Sequence, residues 1–307
     1  MGGTWRAMGM SFLVLALIGL IACVSCQSDG DDSSAKVFDD NFQIMWAEDH
    51  FRTSENGQVW HLALDQKSGS GFKSKNKYRF GWFSMKLKLV PGDSAGVVTA
   101  YYMSSDTDKN RDELDFEFLG NRSGQPYALQ TNIYAKGVGE REQRHTLWFD
   151  PTTEFHTYSI LWNAHQIVFF VDQVPVRVHR HTKATRDVFP RKQGMYMFSS
   201  IWNADNWATR GGLEKTNWSA APFVSSYKKF HGLGCKWEDD QTTLLPCANS
   251  NNASARHWWD KPVAWTLTKK QREYYRWVNS KYLTYDYCHD QSRYSTKPVE
   301  CSVAPWD

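Results

Sequence analysis

The chain predicts an all-β domain, an antiparallel sandwich or barrel. Three observations carry this: many short alternating or β-branched runs, turn residues between them, and hardly any apolar spacing of three and four before residue 230. The runs, in order, are Val59 to Leu64, Phe80 to Leu89, Gly96 to Tyr102, Glu113 to Phe118, Leu129 to Tyr134, His156 to Trp162, Gln166 to Val171, Pro175 to His179 and Gly194 to Ile201. Met85-Lys86-Leu87-Lys88-Leu89 shows the period of two, with one face apolar and one basic. There is no internal repeat. At 307 residues, 41% hydrophobic and 22% charged, the chain supports one large core and is not collagen-like, coiled-coil or wholly disordered. A net charge of +3 leaves no electrostatic footprint for nucleic acid. Aromatic residues, at 15%, exceed what a core needs, and their flat amphipathic rings suit surfaces that receive other flat faces, sugars among them.

Before the domain, Arg6 precedes an apolar run, Phe12 to Ile21, and small residues follow in Ala22-Cys23-Val24-Ser25-Cys26. This pattern predicts a secretory signal peptide over residues 1–26. A retained anchor, or a lipoprotein site at Leu20-Ile21-Ala22-Cys23, is the alternative. No later stretch is long and apolar enough for a membrane helix, so a soluble, secreted protein without membrane attachment is expected once the leader is removed. Residues 27–36 are rich in Ser and Asp and read as a mobile tether, and residues 37–230 carry the β pattern.

Residues 231–307 read as an extension packed on the sandwich, with a short helix at Lys270 to Tyr282 presenting Tyr274, Trp277 and Val278. Cys235, Cys247, Cys288 and Cys301 remain after leader removal and allow three pairings. Nearest-neighbour pairing, Cys235 with Cys247 and Cys288 with Cys301, closes two short loops, each worth roughly 3 kcal/mol in the chain-entropy model. Zinc is the rival for these thiols, without the C-x-x-C or paired-His spacing that it favours. Sequons at Asn121, Asn217 and Asn252 agree with a glycosylating secretory route.

The most informative segment is Glu113-Leu114-Asp115-Phe116-Glu117-Phe118, because strand geometry puts the three acids on one face and the three apolar residues on the other. Same-face neighbours lie about 6.7 Å apart, so like charges crowd and at least one carboxyl holds its proton if the face is enclosed. An edge strand whose acids meet water, or a calcium site, are the bland alternatives. Retaining glycoside cleavage needs one carboxylate nucleophile and one protonated carboxyl roughly 5 to 5.5 Å apart. Glu113 and Glu117 have Cα atoms about 13 Å apart on a regular strand, so their side chains must lean inward over a twisted sheet with Asp115 between them.

Asp112-Glu113-Leu114-Asp115-Phe116-Glu117-Phe118-Leu119-Gly120-Asn121 closely resembles the signature of the plant xyloglucan endotransglucosylase/hydrolase family, a branch of glycoside hydrolase family 16. The resemblance runs from Phe38-Asp39-Asp40-Asn41-Phe42 through Gln130-Thr131-Asn132 and Arg141-Glu142-Gln143-Arg144 to Tyr287-Cys288 and Arg293-Tyr294. It implies a curved β-jelly-roll whose concave sheet holds a β-1,4-glucan backbone bearing xylose. It also implies roles: Glu113 as nucleophile, Asp115 as its helper, Glu117 as general acid/base. Substrate contacts are implied at Tyr102, Gln130, Thr131, Asn132, Glu140, Arg141, Glu142, Arg144, Trp202, Asn206, Trp207, Gly211 and Arg293, and a glycan at Asn121. For Trp202 and Trp207, core packing is the competing explanation. No cofactor or metal is expected, since two carboxyls suffice; the partners are a xyloglucan donor and a xyloglucan or oligosaccharide acceptor, and the protein is expected to be a monomer.

Three departures stand out: Arg111 where the family usually has His, Asn206 where Asp is common, and a Ser104 to Asn110 stretch one residue longer than usual. A fixed Arg111 charge lowers nearby carboxyl pKa values, so the pH optimum is expected below that of an Arg111→His version. Water and a sugar hydroxyl compete for the glycosyl-enzyme, and the acids do not decide between them. Asn203 to Trp218 is similar to the transferase branch, without the extended loop of the hydrolase branch, which implies endotransglucosylation with minor hydrolysis. A lectin-like binding module is the competing class.

Overall fold

The computed structural model describes residues 38–105, 109–238 and 257–306. The leader, the tether, Cys247, Asn252 and the middle of the Ser104 to Asn110 stretch lie outside them. After a single helical turn, α1 (Phe38–Asn41), come β1 (Phe42–Trp46), β2 (Phe51–Ser54), β3 (Val59–Leu64), β4 (Ser70–Lys88) and β5 (Val97–Ser104). Next are β6 (Glu113–Leu119), β7 (Ala128–Tyr134), β8 (Gln143–Thr146), β9 (His156–Trp162), β10 (Gln166–Val171), β11 (Val174–Arg180), β12 (Met195–Asn203) and β13 (Phe223–Trp237). The long helix α2 (Lys269–Lys281) and β14 (Leu283–Asp286) complete the chain.

All strand pairings are antiparallel, and β4 belongs to two layers. Its first half, through Tyr78, pairs with β1 and β12; its second, from Gly81, pairs with β9; β13 runs along the second half and past the turn to Tyr78 and Lys77. The turn between the halves is made at Phe80 (φ 68°) and Gly81 (φ 152°). A Cβ on Gly81 would meet the Leu233 carbonyl oxygen at 2.6 Å, so only glycine lets the strand change sheets here. One layer therefore runs β4-β12-β5-β6-β7-β8-β14, and the other β11-β10-β9-β4-β13-β3-β2.

The core lies between the layers. Leu114, Phe116 and Phe118 are buried, and Phe116 meets Phe169 of the other layer edge-on with ring centroids 5.0 Å apart. Burying one such ring contributes about 2 to 3 kcal/mol. Met85, Leu87 and Leu89 point inward, as the alternation predicts. β10 is buried on both faces because the C-terminal segment covers its outer side: Trp258 packs on Trp82, which packs on Phe170.

The structure corrects two expectations about the C-terminal part of the chain. Strand structure does not stop at Phe230: β13 continues to Trp237, and β14 adds itself beside β8 at the rim of the first layer. The first half of β4, β1, β2 and β8 carry mixed polar residues without clean alternation, so they escaped the sequence pattern. In α2, Val278 is buried as expected and Trp277, though partly exposed, packs on Trp148 with ring centroids 5.2 Å apart, but Tyr274 is exposed. Tyr275 packs inward instead, because the stripe 275–278–282 is the one that faces the sandwich. Thr268 and Gln271 start this helix with a reciprocal capping box. Cys288 and Cys301 form the expected disulfide, which removes them from zinc chemistry.

Candidate active site

β6 lies in the middle of its sheet, between β5 and β7, so the edge-strand alternative does not hold. Register then assembles a polar face around the acid row. Glu113, Asp115 and Glu117 stand opposite Ser104, Tyr102 and Ala100 on one side, and Tyr134, Asn132 and Gln130 on the other. Arg144 stands opposite Gln130, and Phe198 opposite Tyr102. Alternation thus sends the acids and amides to one face while Leu114 and Phe116 anchor the same strand in the core.

The three acids line one open cavity of ≈ 330 Å³. Tyr102, Asn132 and Trp202 share it, together with Trp46, Tyr134 and Ser200. Trp46 reaches in from β1: its ring lies over Gly71, where a Cβ would meet the indole at 2.5 Å, and its Nε1 donates to the Gly69 carbonyl at 3.1 Å. Tyr102 stacks on Phe198 at 5.0 Å.

The acids are held differently. Arg111 Nε donates to Glu113 Oε2 at 3.1 Å, and its guanidinium sits 4.4 Å from the Tyr134 ring centroid. Burial, then the charges of Glu113 and Glu117, hold the Asp115 carboxyl well above the usual carboxylate range. Burial also raises Glu117, against the Gln130 amide, which donates to its Oε2 at 2.5 Å. Arg144 Nε in turn donates to Gln130 Oε1 at 2.6 Å, orienting the amide. The row therefore sets two carboxyls that burial pushes toward the protonated form beside a third bonded to a cation, an arrangement suited to acid–base chemistry. The Tyr134 hydroxyl is pushed up to about 12 by burial and the neighbouring acids, so it stays a neutral donor.

The expected contact residues divide. Tyr102, Gln130, Asn132, Arg144 and Trp202 converge on the acid row. Glu142, Glu140 and Arg293 form a rim group: Arg293 pairs with Glu142 at 2.6 Å and lies 3.9 Å from Glu140. Asn206, Trp207 and Gly211 lie on the loop after β12. Trp207 and Trp202 both pack on a small cluster of Val98, Leu119, Ala204 and Ala208, so each tryptophan is part packing and part surface. The Thr209 hydroxyl, bonded to Gly120 O and Gly96 N at 2.8 Å each, ties that loop to the ends of the cleft strands.

Two expectations are corrected. Thr131 points into the core, where Arg177 donates to its carbonyl at 2.9 Å and its hydroxyl at 3.1 Å, because it alternates with Gln130 and Asn132. Arg141 is buried, its guanidinium engaged by Glu300 at 2.6 Å and by the Val138 and Gly139 carbonyls. It braces the turn before β8 and does not reach the cleft. Tyr134 and Trp46 were missed. Gln130-Thr131-Asn132-Ile133-Tyr134 signals the first by alternation; nothing local signals the second, whose approach is long-range. Asn121 lies two residues past the end of β6, with its amide donating to the Pro126 carbonyl at 3.0 Å.

A two-layer β-sandwich with an acid row flanked by amides and aromatic rings on the open face of one layer defines a carbohydrate-active jelly-roll enzyme. The family model of Glycosyl hydrolases family 16 matches residues 38–220, and that of the xyloglucan endo-transglycosylase C-terminus matches 253–301. The chain is 55% identical to the probable xyloglucan endotransglucosylase/hydrolase protein 8 of Arabidopsis thaliana, over 97% of this chain and 95% of that one. It is 51% identical to the xyloglucan endotransglucosylase protein 2 of Diospyros kaki, over 86% and 87%. Among solved structures, a Bacillus licheniformis beta-glucanase shares the fold with a TM-score of 0.53 and 21% identity, covering 63% of this chain and 92% of that one. The chain belongs to glycosyl hydrolases family 16 and, within it, to the xyloglucan endotransglucosylase/hydrolase proteins. It is a glycosyl hydrolase or transferase.

Proposed function

We propose that the protein is secreted to the plant cell wall, cuts an internal β-1,4-glucosidic bond of xyloglucan with retention, and passes the cut chain chiefly to another xyloglucan. Glu113 attacks the anomeric carbon as Glu117 gives its proton to the leaving glycosidic oxygen, and that bond breaks. An acceptor hydroxyl then attacks the glycosyl-enzyme and returns its proton to Glu117. Asp115 shares the row's proton and orients Glu113. The observation that carries this is the row itself: Asp115 and Glu117, both raised by burial, beside an Arg-held Glu113 in one open cavity. The relatives, 48 to 55% identical, are named for xyloglucan, which supports the substrate.

Transfer is supported by the compact loop after β12, clamped by Arg122 to Glu214 at 2.9 Å and to Asp93 at 3.0 Å. A held acceptor has a high effective concentration against water. Asn121 is proposed to carry a glycan beside this clamp. Mixing xyloglucan with a labelled xyloglucan oligosaccharide tests the reading: label should enter polymer faster than new reducing ends appear. Reducing ends rising without label transfer would overturn transfer, and neither signal would overturn the substrate.

A further inference from the structure

Away from the acid row, a second cavity of ≈ 410 Å³ lies where the chain enters β6. Its walls carry five cations, Arg79, Lys136, Arg186, Arg191 and Lys192, against the carboxylates of Asp112 and Asp187. Asp187 is paired with Lys136 at 3.3 Å. Arg79 is the unusual member. It is only 6% exposed, yet no carboxylate among the described residues lies within ion-pair distance of it. Its Nε donates to the Arg191 carbonyl at 2.8 Å, and its guanidinium is flanked by the Phe80 and Trp237 rings at 5.2 and 5.4 Å. Among the described residues this buried cation therefore has a second cation beside it and no counter-ion, an arrangement that favours an anionic ligand. The β4 turn at Phe80 fixes it there, so the fold holds the charge in place.

The opposite charge in this cavity also has a place. Asp112 is buried, and its Oδ1 accepts from the Lys136 amide at 2.9 Å. A carboxylate in the wall disfavours a multiply charged phosphate and suits a ligand that brings a hydroxyl donor as well as one negative charge. The cavity is of small-molecule size, larger than a lone oxyanion needs. We propose that it binds an acidic sugar, with the sugar carboxylate on Arg79 and Arg191 and a sugar hydroxyl donating to Asp112. Bidentate guanidinium geometry matches a carboxylate. The Gln193 amide in the same wall is already engaged, donating to the Asn110 carbonyl at 2.8 Å, so it closes the wall and leaves the polar contacts to Arg79, Arg191 and Asp112. The site is independent of the reaction proposed above, and a binding assay reads it without turnover.

The test is calorimetric titration of the full chain with digalacturonate, neutral galactobiose and inorganic phosphate. Digalacturonate should saturate one site, galactobiose should not, and phosphate should bind at least about tenfold more weakly. Arg191→Gln should weaken digalacturonate about tenfold or more, while Lys269→Gln on α2 should leave it unchanged. Arg79→Gln should abolish it; circular dichroism reports whether that variant folds, and Arg191→Gln carries the test if it does not. Absence of saturation, equal binding of galactobiose, tighter binding of phosphate, or indifference to Arg191→Gln would each overturn the proposal.

Discussion

Replacing Arg111 by methionine keeps the length of the side chain and removes the one cation among the described residues that is bonded to the acid row. Arg111 Nε lies 3.1 Å from Glu113 Oε2, with 31% and 15% of the two side chains exposed. Two unit charges about 4 Å apart interact by about 4 kcal/mol at an effective dielectric of 20, and exposed pairs retain about 1 kcal/mol or less. This pair sits between those limits, at about 1 to 2 kcal/mol. One pH unit corresponds to about 1.4 kcal/mol, so the acidic limb of the pH–rate profile should move up by about one unit in Arg111→Met. The sign follows from the cation: it favours the ionised row, and it also opposes the rise of Asp115. Arg111→His should match the parent at low pH, where the imidazole is charged, and lose that charge as pH rises, which moves its optimum upward. Transfer rates measured from pH 4 to 8 for the three proteins give the answer. Superimposable profiles would refute the electrostatic role and leave Arg111 as a packing partner of Tyr134.

Glu113→Ala should lose turnover by at least about a thousandfold while still retaining xyloglucan in an affinity gel; undiminished activity would remove it from the nucleophile role. Gln130→Leu removes the amide that lowers Glu117, so the basic limb of the profile should shift to higher pH, and an unchanged limb would show that the amide only fills space. Arg141→Met leaves the Glu300 carboxylate buried without its partner and should cost about 3 kcal/mol in a urea titration, with little change in KM for polymer. His145 is fully buried, neither ring nitrogen has a partner among the described residues, and burial drops its pKa from 6.5 to about 4. Between those values the unfolded chain takes up a proton that the folded one refuses, so stability falls by about 3 kcal/mol as pH drops from 6.5 to 4. His145→Leu should therefore flatten the acid side of the Tm against pH curve, and an equally steep curve would count against this.

The strands with clean alternation were legible in the chain itself. Val59 to Leu64 and the acid row needed no tertiary information, because a period of two fixes both the element and the face that each side chain takes. The family resemblance placed Gln130 and Asn132 near the acids but named Thr131 with them, and the structure turns Thr131 into the core, where Arg177 holds it. What the folded structure decided is everything that depends on a neighbour distant in sequence. Trp46 enters the cleft only because β1 pairs with β4 across Gly71, and Arg141 is withdrawn from it only because Glu300 waits on the C-terminal segment. The sheet change at Phe80 and Gly81 has the same origin: the alternating run begins only at Phe80, and that a strand of 19 residues passes through this point into a second layer depends on the strands that pair with it. Proton sharing in the acid row belongs to this class as well, since the carboxyls acquire their raised pKa values from burial, which no spacing of residues specifies.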